Sequence, residues 1–242
     1  MDTFNLKKYL IENRRTENSR KVVELLSTGL EHDNREKEIH LKRVAAMQKK
    51  IAKGHVQGDL ILGINRGEYN IGDEITSLPD NLTVGGDLTV DHNRMTSLPD
   101  NLTVEGSVYL NYSTIPSLPG SLTVGDTLHL SYSKITAIPS DLIVQSIMMY
   151  NSEVTTLPDN FTVPYTLNAK NSKITSLPNN LTVEKDLNLE NTSITSLPRD
   201  LKVGGSLNLI GTPIAKNYSK EEIRKMVPVV RGEIWVEKVY KN

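Results

Sequence analysis

The chain has 242 residues and no cysteine, and its formal net charge of −1 conceals a split in which residues 1–55 carry +5 and residues 56–242 carry −6. The missing thiol excludes disulfides, thiolate metal sites and a cysteine nucleophile, and no apolar run approaches the length of a membrane span. The start, Met1-Asp2-Thr3-Phe4-Asn5-Leu6-Lys7-Lys8, lacks the apolar stretch and cleavage site of a secretory signal, so a cytosolic protein is expected.

Residues 1–55 read as a helical leader or cap. Val22, Val23, Leu25, Leu26 and Leu30 predict one amphipathic helix. A second is predicted from about Asn34 to Lys53, with Leu41, Val44, Met47 and Ile51 on its apolar stripe. The basic residues Arg35, Lys37, Lys42, Arg43, Lys49, Lys50 and Lys53 have no interleaved aromatics and are diluted by Glu36 and Glu38. They read as a solvated helix face rather than a nucleic-acid surface.

Residues 56–214 repeat. A Leu/Ile-Pro pair places its proline at Pro79, Pro99, Pro119, Pro139, Pro158, Pro178 and Pro198. Each proline follows the last by twenty positions, except that Pro158 comes one position early after Pro139. Val84, Leu88, Val90, Met95, Leu98 and Leu102 mark the apolar columns of one unit. The alternation Leu88-x-Val90 is a short strand with both apolar residues on one face. It returns in every unit, so stacking predicts a parallel sheet and a β-solenoid. The residue before each proline is pushed to an extended conformation. A repeat of that length then leaves no room for a helix on the outer side, which should be extended or polyproline-like. Val56, Leu60 and Leu62 begin a further coil, but its partner Ile75 comes eight positions late, which predicts a protruding loop over 63–73.

A polar column, Asn93, Ser113, Ser133, Ser152, Ser172, Thr192 and Thr212, follows each strand and reads as a ladder that bonds the backbone of the turns. The sheet face directed away from the core has a mid-strand column of Thr89, Tyr109, His129, Met148, Asn168, Asn188 and Asn208. Tyr112, Tyr132, Tyr150 and Lys170 fall on its flank. Tyrosine favours strands for packing alone. Clustered tyrosine beside serine and asparagine is also the composition of recognition surfaces. Thr89, Tyr109, Tyr112, His129, Tyr132, Met148, Tyr150, Asn168 and Lys170 are therefore the candidate partner-binding residues.

The register Leu88-x-Val90-x-x-Asn93-x-Met95-x-x-Leu98-Pro99 resembles the short, twenty-residue class of bacterial leucine-rich repeats, over about Val56 to Ile214. The ladder asparagine of that class is present at Asn93 alone, and the first apolar column, Val84 to Val203, sits one residue early. The resemblance implies a leucine-rich-repeat-like solenoid behind a helical cap, as in secreted bacterial effectors. Similar arrays of Leu-Pro-Asp-Asn-Leu-Thr-Val-Gly-Gly type are encoded by tailed bacteriophages. The ubiquitin-ligase activity that some effectors append needs a catalytic cysteine, which this chain lacks.

Residues 215–242 read as a small cap. Ser219-Lys-Glu-Glu222 is a capping-box pattern opening a helix to about Met226, and Gly232 to Val239 alternates like an edge strand. No enzymatic constellation stands out. His32, His40, His55, His92 and His129 have no metal-ligand spacing, Asp87, Asp91 and His92 read as solvated groups beside a turn, and no phosphate-binding loop occurs. The expectation is a non-enzymatic interaction protein that needs no metal or cofactor and offers a rigid sheet to a protein partner. The alternative is a structural or accessory component of a bacteriophage particle, docked by its amino-terminal segment.

Overall fold

A computed structural model describes residues 17–62, 74–92, 94–227 and 229–236, with side chains from residue 34 onward. The chain divides into two units, one ending at Met47 and the other beginning at Gln48.

The first unit holds most of α1, a continuous helix over Glu17–Ile51. This corrects the expectation of two helices. Residues 27–34 contain no proline, and Gly29 alone costs only about 1 kcal/mol in a helix interior, so nothing there breaks the hydrogen-bond ladder. Val44 and Ile51 are buried, Met47 is half-buried and Leu41 is exposed, so the apolar stripe is narrower than its sequence pattern. Val22 to Leu30 lie outside the described side chains. No described helix is long and apolar enough to cross a membrane.

The second unit is a β-solenoid. Its principal sheet has nine parallel strands among the described residues, from Leu60–Ile61 at one end to Ile234–Trp235 at the other. Leu88, Val108, Leu128, Ile147, Leu167, Leu187 and Leu207 align in register across it. The apolar columns close the interior: Val84, Leu88, Val90, Met95, Leu98 and Leu102 are all buried. A second run of two-residue strands, Thr83–Val84 and its equivalents, forms two four-stranded parallel sheets. The Val84 column is the inner residue of that run. The outer segments, such as Met95 to Leu98, carry no helix.

The second run breaks at the one coil that is a residue short. Elsewhere four positions separate the second-run valine from the principal strand, as in Val104 to Val108; Val144 and Ile147 are only three apart. The N–H groups of Gln145 and Ser146 consequently share the Asp126 carbonyl, at 3.0 and 3.2 Å. Only an isolated bridge, Thr123 to Ile143, remains of the second run there.

The array is closed at its far end by α2 (Pro213–Asn217), α3 (Lys220–Met226) and the strand Ile234–Trp235. The capping box is present: Ser219 Oγ accepts from the Glu222 N–H, and the Glu222 carboxylate accepts from the Ser219 N–H. The expected loop over 63–73 and the strand beyond Val236 lie outside the described residues.

The hydroxyl ladder is only partly as expected. Thr192 Oγ1 donates to Leu189 O at 2.7 Å, Thr212 Oγ1 donates to Leu209 O at 2.6 Å, and Ser113 Oγ accepts from Ile115 N at 3.1 Å. Among the described residues the buried hydroxyls of Ser133, Ser152 and Ser172 have no hydrogen-bond partner, which corrects their assignment to the ladder. The backbone has already closed these turns, because the N–H of each serine bonds the carbonyl three residues back. Threonine, stiff at χ1, is held with its hydroxyl on that carbonyl, whereas serine has rotamers to spare. Asn93 lies outside the described residues. Ser133→Ala is therefore expected to change the unfolding free energy by less than about 0.5 kcal/mol, while Thr192→Val costs about 1 kcal/mol; urea titration of both variants measures this.

Other columns carry the side-chain ladders. Asp59, Asp87 and Asp186 each accept the N–H one coil on, from Asp87 (2.9 Å), Ser107 (2.7 Å) and Ser206 (2.7 Å). On the outer side Asn101 donates to Asn81, and Asn180 to Asn160, both at 3.0 Å.

Candidate binding face

The turn that leaves each principal strand decides what the sheet face presents. Leu110 O accepts from the Ser113 N–H (3.2 Å) and Leu130 O from the Ser133 N–H (3.1 Å), and the later coils repeat the bond. The third residue of each turn is left-handed: φ is 54° at His92, 57° at Tyr112, 59° at Tyr132, 54–56° at Asn151, Asn171 and Asn191, and 77° at Gly211. This is a type II pattern, which favours glycine or asparagine at that place. Those are the residues of the four later coils. A histidine and two tyrosines hold the conformation in the three earlier ones, at a cost of about 1 kcal/mol or more each.

These three aromatic residues stack. The His92 and Tyr112 rings are 4.6 Å apart and within 15° of parallel, and Tyr112 and Tyr132 are 4.7 Å apart and within 3°. Tyr150 meets Tyr132 edge-on at 5.7 Å. A second stack stands beside this one in the mid-strand column, where Tyr109 and His129 are 4.4 Å apart and within 7°. The strand spacing of a parallel sheet, about 4.8 Å, sets these separations. Tyr112 lies between two rings, so both its faces are covered. Its 50% exposure belongs to the ring edge and the hydroxyl.

The expected site residues fall into three groups. Tyr112, Tyr132 and Tyr150 are exposed. Thr89, Tyr109, His129 and Met148 are half-buried in the adjoining column rather than fully open. Asn168 and Lys170 lie beyond the aromatic part and are engaged within the array: Asn168 Oδ1 accepts from the Lys170 N–H at 3.2 Å, and the Lys170 ammonium pairs with Glu190 at 2.9 Å. Asn188 and Asn208 repeat the Asn168 bond, to the N–H groups of Glu190 and Ile210. The early coils solve the same problem from the next column, where Asp91 Oδ1 accepts from Asn111 N (2.6 Å) and Asn111 Oδ1 from Ser131 N (3.1 Å). This frees the early mid-strand positions for threonine, tyrosine and histidine.

His92 and Trp235 belong to this face although sequence reasoning leaves them outside it. Trp235 pairs with Asn208 in the mid-strand column and is exposed. His92 shares its column with Asn151, Asn171 and Gly211, whose identities are the visible sign of a left-handed turn.

Electrostatics divide the face. Burial pushes His129 below the ordinary imidazole value, against the pull of Asp91, Asp126 and Asp87. Burial raises the Asp91 carboxyl, against its two bonds from Asn111 and the attraction of His92 and His129. A histidine depressed in the native state binds fewer protons there than in the unfolded chain, so its contribution is lost as pH falls from about 6.5. Stability followed by urea titration between pH 7.5 and 5.5 should fall less steeply in His129→Gln than in the parent. Equal slopes would show that His129 stays protonatable in the folded state. Asp91 acts in the opposite sense at lower pH, since its raised value makes the folded form the better proton binder as pH drops toward the carboxyl range.

Among the described residues no group of three or more histidine, aspartate or glutamate side chains could hold a metal ion. The chain matches no family model, no curated protein and no solved structure.

Proposed function

We propose that this protein is a non-enzymatic interaction module that presents the aromatic part of its principal sheet to a protein partner. The observation that carries the reading is the left-handed aromatic column. Three successive coils keep His92, Tyr112 and Tyr132 where the later coils have asparagine or glycine. Backbone strain held at an exposed site is a cost to stability, and such strain clusters at ligand contacts. Stacked tyrosines also supply rigid, amphipathic contact area with little rotamer entropy to lose. The likeness of the repeat to short bacterial leucine-rich repeats supports the same reading.

The test is capture by the full chain from its native host, followed by affinity measurement with the captured protein. The double substitution Tyr112→Asn/Tyr132→Asn should weaken that affinity, and Asn188→Ala should not. A second reading makes the array a stiff component of a bacteriophage particle held by its amino-terminal segment. It draws on the length of helix α1 and on the likeness to phage-encoded arrays. On that reading the tyrosine substitutions leave capture intact.

A further inference from the structure

We propose that the partner segment laid on this face is basic, with arginine or lysine side chains set among the ring edges of the stacked aromatics and the carboxylates of Asp87, Asp91 and Asp126. The inference rests on the reading that the aromatic face binds a protein, and it names the chemistry of what is bound.

Charge is handled differently in the two halves of the array. In the later coils two of the glutamates are neutralised within the chain: Glu153 pairs with Lys134 at 3.8 Å and with Lys173, and Glu190 pairs with Lys170 at 2.9 Å. Around the aromatic stacks the three aspartates have no lysine or arginine in an ion pair among the described residues. Asp87 and Asp91 stand two residues either side of Thr89, whose strand pairs with that of Tyr109, itself paired with that of His129. Asp126 precedes the His129 strand, and all three act electrostatically on His129. Hydrogen bonds fix each of them. Asp87 accepts from Ser107 N (2.7 Å), Asp91 from Asn111 N (2.6 Å), and Asp126 from the hydroxyls of Thr127 (3.2 Å) and Ser107 (3.5 Å). Three carboxylates fixed by hydrogen bonds and in no ion pair with lysine or arginine among the described residues make a face complementary to a cationic segment.

The rings narrow the choice further. A sugar recognised by stacking needs an open aromatic face, and both faces of Tyr112 are taken by His92 and Tyr132. What the stack offers outward is phenol edge and hydroxyl, repeated at 4.7 Å between Tyr112 and Tyr132. Hydroxyls and carboxylates accept N–H donors, and guanidinium carries five of them in a planar fork. A nucleic acid or an acidic peptide would meet the same carboxylates with repulsion.

The test uses the full chain and a fluorescently labelled (Gly-Arg)4 peptide, followed by anisotropy at low and high salt. (Gly-Gln)4 and (Gly-Glu)4 peptides serve as probes of the same length. Asp91→Asn/Asp126→Asn should weaken (Gly-Arg)4 binding at least about tenfold, because asparagine keeps an acceptor oxygen but loses the charge. Glu153→Gln/Glu184→Gln removes the same charge from the later coils and should leave binding unchanged. A thermal melt of each variant establishes that it is folded. Equal loss in the two double variants, or no detectable binding of (Gly-Arg)4, would overturn the proposal. So would equal or tighter binding of (Gly-Gln)4 or (Gly-Glu)4; if that binding disappears in Tyr112→Asn/Tyr132→Asn, the aromatic face still binds a protein and only the basic chemistry is wrong. If (Gly-Arg)4 binding survives the tyrosine substitutions but not the aspartate ones, the aromatic face itself is not the binding surface.

Discussion

Gly125→Ala is expected to lower the unfolding free energy by about 3 kcal/mol, while Gly85→Ala should leave it unchanged or raise it by up to about 1 kcal/mol. Both glycines follow the second-run valine of their coil. A Cβ on Gly125 would lie 2.7 Å from the Glu105 carbonyl carbon and would overlap its oxygen. Those atoms are backbone, held in the stack by the Glu105 N–H bond to Val84 O and by the Gly125 N–H bond to Val104 O. They cannot move without opening the ladder. A Cβ on Gly85 meets nothing closer than 3.5 Å, and its φ is not left-handed, so alanine there mainly restricts the unfolded chain. Gly204 approaches the Glu184 carbonyl as Gly125 approaches that of Glu105, and Gly204→Ala should share the penalty. Urea titrations followed by circular dichroism, with Trp235 fluorescence reporting the terminal coil, measure all three. Equal stability of the Gly125 and Gly85 variants would mean that the coils are not stacked as closely as described.

The double substitution Tyr112→Asn/Tyr132→Asn should weaken partner binding at least about thirtyfold while moving the unfolding free energy by no more than about 1 kcal/mol. Aromatic anchors commonly carry about 2 kcal/mol or more of an interface, and about 1.4 kcal/mol is a factor of ten. On the stability side two terms oppose. Losing the stacks costs about 0.5–1.5 kcal/mol for each aromatic pair. Asparagine at φ 57° and 59° relieves strain of similar size, and Asn171 and Asn191 already show what it does there, with Asn191 Nδ2 donating to Asn171 Oδ1 at 3.0 Å. Affinity and a urea titration on the same preparation separate recognition from packing. A large stability loss with unchanged affinity would make the tyrosines packing residues only.

The solenoid is legible because its period is nearly constant and its apolar columns are unbroken, so Leu88, Val90, Met95 and Leu102 can be placed in the core from spacing alone. Legibility fails where the period does. Leu60 pairs with Leu88, and Leu207 with Ile234, across separations well beyond the regular period; both terminal strands are visible by their alternation, but insertions of that kind hide the register of the last one. Trp235 escapes notice as part of the exposed column for this reason. The sequence splits α1 in two because its apolar residues thin out near residue 30, although backbone continuity there depends on the absence of breakers. Residue type assigns the whole hydroxyl column to a ladder, yet the turns are closed by backbone bonds and the hydroxyls of Ser133, Ser152 and Ser172 are surplus. The strained tyrosines can be located but not their conformation. Tyr112 and Tyr132 are left-handed because they stand in the column of Asn151, Asn171 and Gly211, a relation that residue type alone, tyrosine being a good strand former, points away from.

Hydroxyl-radical footprinting of the tyrosines, free and in complex with the captured partner, tests the binding face most directly. Tyr112, Tyr132 and Tyr150 are 50%, 44% and 40% exposed, and Tyr165 and Tyr218, at 53% and 39%, lie outside the aromatic stacks and react as internal references. In the complex Tyr112, Tyr132 and Tyr150 should lose most of their oxidation while Tyr165 and Tyr218 keep theirs. Unchanged oxidation of Tyr112 and Tyr132 in a saturated complex would contradict the assignment of this face.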